Sequence, residues 1–225
     1  MAKMPAWSYS ALTAFETCGR QYHIVRVLKL VSDPPNKAAT HGNEVHKAFE
    51  IAVRDQVPLP EKYKQWQGLA RRLMTAPGKR HAEMKVALNA NLQPTGYFAK
   101  DVWLRGVLDY MVERGENATV LDYKTGKRKP DSTQLELFAA MTFQIKPYLR
   151  KVQTGFLWLP DEKIDKAVYH PEDMSRVWGD FAARVARMKH AFETDTWVPR
   201  PSGLCNGWCP VGRANCEFWK EKRNA

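Results

Sequence analysis

Two apolar runs that each end in an acidic residue constrain this chain more than any other feature. Val120-Leu121-Asp122-Tyr123-Lys124-Thr125-Gly126 closes one, and Gly106-Val107-Leu108-Asp109 closes another, with Asp109 thirteen residues before Asp122. Strands have a side-chain period of two, so Asp122 and Lys124 share a face and Tyr123 turns away into packing. Two carboxylates and an ammonium brought to one sheet edge are costly to desolvate together without a cation between them. The first expectation is therefore a sheet whose strand ends hold a hard divalent metal, Mg²⁺ or Mn²⁺, through oxygen ligands. Such an ion polarises a phosphoryl oxygen and acidifies a bound water, and a neighbouring lysine offsets charge developing on the phosphate. His46, one turn beyond Gly42 in a helical stretch, would add a nitrogen ligand and tilt the preference toward Mn²⁺.

Each residue alone has a plainer reading. Asp-x-Lys is commonly an exposed pair, a histidine on an amphipathic helix is commonly core or surface, and Asp109 could simply start a turn. Their joint occurrence on successive elements favours a site.

The periodicity predicts a first helix capped by Ser8 or Ser10 and a second over residues 43–54 carrying Val45, Phe49 and Ala52 on one stripe. Residues 54–85 hold eight Lys/Arg against three Asp/Glu and read as helical and partly exposed. Strands are expected over 83–88, 97–103, 105–113 and 118–124, with Gly115-Glu116-Asn117 as the turn into the last. A helix over 132–145, strands over 153–159 and 164–169, and a strong helix over 173–194 follow. This order predicts an α/β or α+β fold around a mixed sheet. With 225 residues a single domain is the default: an N-terminal helical part (1–80), a core (81–195) and a Cys-rich cap (196–225).

Gly42-x-x-x-His46, Gly106-x-x-Asp109, Asp122-Tyr123-Lys124-Thr125-Gly126 and Gln134-Leu135-x-x-Phe138 follow one another as in RecB-like nucleases of the PD-(D/E)XK superfamily, which this chain resembles. The resemblance implies a restriction-endonuclease-like core and a metal-dependent DNA nuclease, an exonuclease before an endonuclease. His46, Asp109, Asp122 and the Tyr123 carbonyl would hold the metal, Lys124 would be catalytic, and Gln134 would support the site or touch DNA. Family members often have tyrosine where this chain has Phe138. Glu83 matches an acid that some members carry on the preceding strand, against the plainer reading of a strand-edge charge.

The four cysteines are Cys18 and, as C-x3-C-x6-C, Cys205, Cys209 and Cys216. By count they suit Zn²⁺ or an iron–sulfur cluster. Their arrangement resembles the iron–sulfur-stapled subgroup of RecB-like nucleases, which includes the AddB nuclease domain and the CRISPR-associated RecB-like exonucleases. There one cysteine precedes the core and three follow it, binding a [4Fe–4S] cluster; zinc is the alternative. Ser8-x-Ser10-x-Leu12-x-x-Phe15-x-x-Cys18 also resembles that subgroup's opening, with Gly19 in place of a frequent proline.

Thirty-five Lys+Arg against 24 Asp+Glu give a net charge of +11, which attracts polyanions. Lys127, Arg128 and Lys129 are the expected phosphate grip; of the interleaved Tyr63, Trp66 and Trp103, most are expected in the core and one or two stacked on unpaired bases of single strands or ends. No apolar run reaches the length of a membrane span or signal peptide, so a cytoplasmic protein (host cytoplasm, if phage-encoded) is expected. No G-x-x-x-x-G-K-[ST] motor motif occurs, so any helicase or recombination function would come from a partner. A second reading keeps the fold without catalysis, as a DNA-binding recombination or spacer-processing partner; four intact site residues argue against it. Oligomeric state and cleavage polarity are not legible.

Overall fold

The computed structural model of the chain describes residues 4–32, 37–128 and 133–221. By its internal contacts the chain forms two compact units: Asn36–Gly179, and Met1–Pro35 with Asp180–Ala225.

In the first unit, five strands among the described residues form one sheet in the order β1-β2-β3-β4-β5. These are β1 (Lys79–Asn89), β2 (Val102–Arg114), β3 (Asn117–Lys124), β4 (Lys151–Trp158) and β5 (Lys163–Tyr169). β1, β2 and β3 pair antiparallel in turn, and the β2–β3 turn is made by Gly115 in the left-handed region, φ 57°. β3 and β4 are parallel. Parallel neighbours need a crossover, and the helix α5 (Thr133–Ile145) lies between them in sequence. β5 returns antiparallel to β4. The sheet is mixed and flanked by helices, as the sequence predicts.

The helix α3 (Lys37–Asp55) buries Val45, Ala48, Phe49, Ala52 and Val53, a stripe at helical spacing. The stripe meets α4 (Gln67–Thr75) and the sheet residues Tyr110, Leu121, Tyr123 and Leu157 in one cluster. Tyr63 and Trp66 lie in that cluster. They are core residues, so they do not offer stacking surface to DNA. On β3, Leu121 and Tyr123 face this core, and the alternate residues Asp122 and Lys124 face the other way.

The structure corrects one strand. Residues 97–103 are expected to be extended, but β2 begins only at Val102. Residues 90–101 form a loop held by local bonds. The Asn89 side chain accepts the Asn91 and Gln93 N–H groups (2.9 and 3.0 Å), and Ala99 N–H donates to Gly96 C=O (2.9 Å). An Asx-type side chain bonding the following backbone competes with strand pairing, and alternation alone does not register that.

In the second unit, α1 (Tyr9–Thr17) starts at Ser8, whose hydroxyl accepts the Ala11 N–H. It stops at Cys18, which is extended (φ −164°, ψ 112°) before α2 (Gly19–Tyr22). Phe15, Tyr22, Phe192 and Trp197 pack ring against ring. The last long helix is α6 (Met174–Thr194). No helix of the described residues is long and apolar enough to cross a membrane.

Candidate metal centre

The site lies where β2 leaves β3. Their ladder runs from Arg114↔Asn117 to Tyr110↔Leu121. At the next step a side chain replaces the ladder: Asp109 Oδ2 accepts the Tyr123 N–H at 2.7 Å. This places the Asp109 carboxylate at the strand end and leaves the Tyr123 carbonyl facing α3. From α3, His46 Nε2 reaches that carbonyl oxygen at 3.0 Å, and His46 Nδ1 lies 3.3 Å from Asp109 Oδ2. The His46 ring also sits against the Tyr123 ring, 5.7 Å between centres. Gly42, one turn earlier, lets α3 pass close to Thr125, whose Oγ1 would lie 3.4 Å from an added Cβ.

Glu83 completes a compact group. His46, Glu83 and Asp109 each offer a ligand atom, and the three atoms lie within 4.8 Å of one another. The sequence puts Glu83 beside the site only by resemblance, but strand pairing explains its place. Ala82 pairs with Tyr110 and Met84 with Leu108, so Glu83 stands opposite Asp109. Glu83 has φ 49°, a left-handed conformation inside a strand. For a residue with a Cβ this costs about 1–3 kcal/mol and persists only where the surroundings over-determine it. It breaks the strand's alternation where the carboxylate joins His46 and Asp109.

Asp122 and Lys124 form the other half. Gln134, at the start of α5, donates through Nε2 to Asp122 Oδ1 (2.8 Å) and accepts from Lys124 Nζ at Oε1 (3.1 Å). Lys124 Nζ lies 2.7 Å from Asp122 Oδ2 and 4.8 Å from the centre of the Phe156 ring. Asp122 Oδ2 is buried and faces this ammonium as an ion pair. Gly106 has its own role in Gly-x-x-Asp: an added Cβ would lie 2.7 Å from Met141 Cε and 3.8 Å from Phe138, so the missing side chain lets α5 come close to β2. Phe138 is buried there, one of the residues α5 turns inward.

Titration follows from this crowding. Burial first, then the Asp109 charge, pushes the Glu83 carboxyl up to about 6. The same two causes raise Asp122, with Lys124 opposing them. For His46 burial acts downward and is the largest single effect, but the bond to Asp109 and the charges of Asp109, Asp122 and Glu83 together outweigh it and the imidazole pKa rises. Glu83 and Asp122 are thus pushed toward protonation, a cost that a bound cation would offset. The donors fit a hard divalent ion: carboxylate oxygens, a backbone carbonyl and one imidazole.

The other expected residues fall elsewhere. Arg128 pairs with Asp165 on β5 through both Nε (2.8 Å) and Nη2, Lys127 is exposed, and Lys129 lies outside the described residues. In the second unit the four cysteines converge. The Cys209 thiol is pushed up by burial and then by the charges of Cys18, Cys205 and Cys216. Backbone N–H groups of Arg200 and Ser202 donate to Cys18 Sγ (3.4 Å) and Cys205 Sγ (3.5 Å).

A mixed sheet with flanking helices, whose strand ends gather acids, a histidine and a lysine around a metal-type ligand group, defines a metal-dependent nuclease. The chain belongs to the PD-(D/E)XK nuclease superfamily, whose family model matches residues 6–214. A search of the curated proteins found no match. Among solved structures the chain is similar to SSO0001 (13% identity, TM-score 0.50, 97% of this chain and 89% of that one). It is also similar to "Putative exonuclease" from Eubacterium rectale (12% identity, TM-score 0.56, 94% and 88%). At these identities the likeness bears on the fold.

Proposed function

We propose that this protein is a Mg²⁺- or Mn²⁺-dependent DNA exonuclease of the RecB-like, iron–sulfur-stapled kind. The observation that carries the reading is the convergence of His46, Glu83 and Asp109 within 4.8 Å, beside the ion pair of the buried Asp122 with Lys124. His46, Glu83, Asp109, Asp122 and the Tyr123 carbonyl are the proposed metal ligands. A divalent ion held by them supplies a Lewis acid and a more acidic water.

The protein's own groups do the positioning. Asp109 fixes the end of β3 through the Tyr123 N–H. Gln134 holds Asp122 by Oδ1 while Lys124 meets Oδ2, and the Gln134 amide oxygen anchors Lys124. Thus held, the ammonium can meet the scissile phosphate as negative charge develops on it, a preorganised contact that strengthens toward the transition state. The +11 net charge suits a polyanionic substrate.

The cysteines support the second part. Cys18 and the Cys205, Cys209, Cys216 group are separated by nearly the whole chain, and a shared [4Fe–4S] cluster would restrict the unfolded chain by about 4–5 kcal/mol. Phosphodiester hydrolysis needs no redox centre, so the cluster's role is structural. A recombination or helicase partner would supply any motor, since the chain carries no P-loop.

The test is digestion of end-labelled linear DNA, single- and double-stranded, against covalently closed circles, by anaerobically purified protein with Mg²⁺, Mn²⁺ or EDTA. The expected result is metal-dependent loss of linear DNA with circles intact. Cut circles overturn exonucleolytic action; activity in EDTA overturns the metal.

A further inference from the structure

The loop between β1 and β2 presents an aromatic pair that the catalytic reading does not use. Tyr97 and Phe98 meet edge to face with ring centres 5.1 Å apart. Phe98 is 78% exposed, the most exposed large apolar side chain among the described residues. Two cations flank the pair. Lys85 Nζ lies 5.6 Å from the Tyr97 ring centre and 5.7 Å from that of Phe98. Arg105 Cζ lies 5.5 and 5.8 Å from the same two centres. Among the described residues neither cation has a carboxylate partner, and Arg105 Nε is buried without a hydrogen bond.

The platform is held in place. Thr95 N–H donates to Ala87 C=O (3.0 Å), Thr95 Oγ1 donates to Asp101 Oδ1 (2.8 Å), and Pro94 bridges to Leu88. It is also near the metal-type group along the hairpin. Lys85 follows Glu83 by two residues on β1, and Arg105 precedes Asp109 by four on β2. At strand rise the Cα atoms of Lys85 and Arg105 stand roughly 7 and 13 Å along their strands from those of Glu83 and Asp109.

An exposed ring with two uncompensated cations at its rim is the chemistry that recognises an unpaired base and its phosphates. A base inside a duplex is already stacked on both faces and cannot use such a ring. We infer that Phe98, backed by Tyr97 and flanked by Lys85 and Arg105, is a contact for single-stranded DNA, in which one unpaired base stacks on Phe98 and the cations meet the adjoining phosphates. The site feeds the strand along the β1–β2 hairpin toward Glu83 and Asp109. This inference rests on DNA being the substrate.

The experiment is fluorescence-anisotropy binding of labelled oligothymidylate and of a blunt duplex, with Ca²⁺ replacing the catalytic ion. Phe98→Ala is expected to weaken single-strand binding about tenfold while changing duplex binding less than about twofold, and Phe98→Trp keeps the wild-type affinity. Lys85→Ala with Arg105→Ala should lower the salt slope on the single strand by about 1.4, from two released phosphate contacts. Unchanged single-strand affinity in Phe98→Ala, as for a protein-docking patch, overturns the inference. So does an equal loss on both DNAs. The nuclease reading is judged separately by cleavage. A chain that cuts DNA but binds without help from Phe98 keeps its function and loses this site. A chain that binds through Phe98 but does not cut keeps the site and loses the reaction.

Discussion

Asp109 Oδ2 accepts the backbone N–H of Tyr123 at 2.7 Å and lies 3.3 Å from His46 Nδ1. One carboxylate therefore closes the end of the β2–β3 ladder and faces the ligand group. The two roles separate by substitution. Asp109→Asn keeps an acceptor for Tyr123 and removes the charge; Asp109→Ala leaves a buried N–H unpaired. The account expects Asp109→Asn to fold with metal-free stability at or above wild type, since it relieves repulsion with Glu83 and Asp122. Asp109→Ala should lose about 1–3 kcal/mol. Both should lose the thermal stabilisation that Mn²⁺ gives the wild type. Denaturant unfolding with and without Mn²⁺ checks this, and a full Mn²⁺ shift in either variant counts against Asp109 as a ligand.

Glu83 gives a pH signature. Its folded pKa is raised from 4.5 to about 6, so the folded state binds the proton more tightly than the unfolded state. Its protonation contributes stability that is complete below the unfolded value and lost as pH rises through the folded one. The metal-free wild type should therefore weaken relative to Glu83→Gln between about pH 4.5 and 6, then run parallel above. Mn²⁺ should offset that loss at pH 7.5 and fade near pH 5, because protons compete for the same oxygens. Thermal melts of both proteins across this range measure it. Parallel curves throughout would remove Glu83 from the charged group.

As proposed, Gln134 is a positioning residue, since it bonds Asp122 and Lys124 and is not itself among the proposed ligands. Gln134→Ala should lower kcat about tenfold with little change in KM, because it loosens groups that act on the transition state. Gln134→Glu should be worse: its carboxylate can hold Lys124 but repels Asp122. Steady-state kinetics separates the cases, and a KM effect alone would point to a DNA contact instead.

The cysteines are expected to act on stability. Cys205→Ala should bleach the protein's absorbance near the visible edge, remove its iron and lower its unfolding temperature. Zinc in a colourless wild type would replace the cluster with a single ion. Unchanged stability with altered cleavage would contradict a structural role.

Much of the site was legible because its residues sit on elements whose periods are strong. Asp122 and Lys124 share a face of β3 by alternation, His46 stands on the amphipathic α3, and Gln134 opens α5, an apolar helix buried on most sides, at motif spacing. Glu83 was harder to see. Its left-handed φ breaks the alternation that would have aimed it, and only the Ala82↔Tyr110 and Met84↔Leu108 register brings it opposite Asp109. Aromatic residues were legible only in part. Tyr63 and Trp66, which stand among basic residues in sequence, are core. Phe98, expected within a strand, is the exposed ring on a loop held by Asn89 and Thr95. Burial depends on what packs from elsewhere in the chain, and a local pattern does not contain that.

The central claim is that this ligand group and Lys124 hydrolyse DNA with a bound divalent ion. Cleavage of end-labelled DNA by anaerobically purified wild type, Lys124→Ala and Asp122→Ala, each titrated with Mg²⁺ and Mn²⁺, tests it most directly. The account predicts metal-dependent cleavage by the wild type and a loss of about a hundredfold or more in each variant, with DNA binding retained. Cleavage that ignores the metal, or that survives both substitutions, would contradict it.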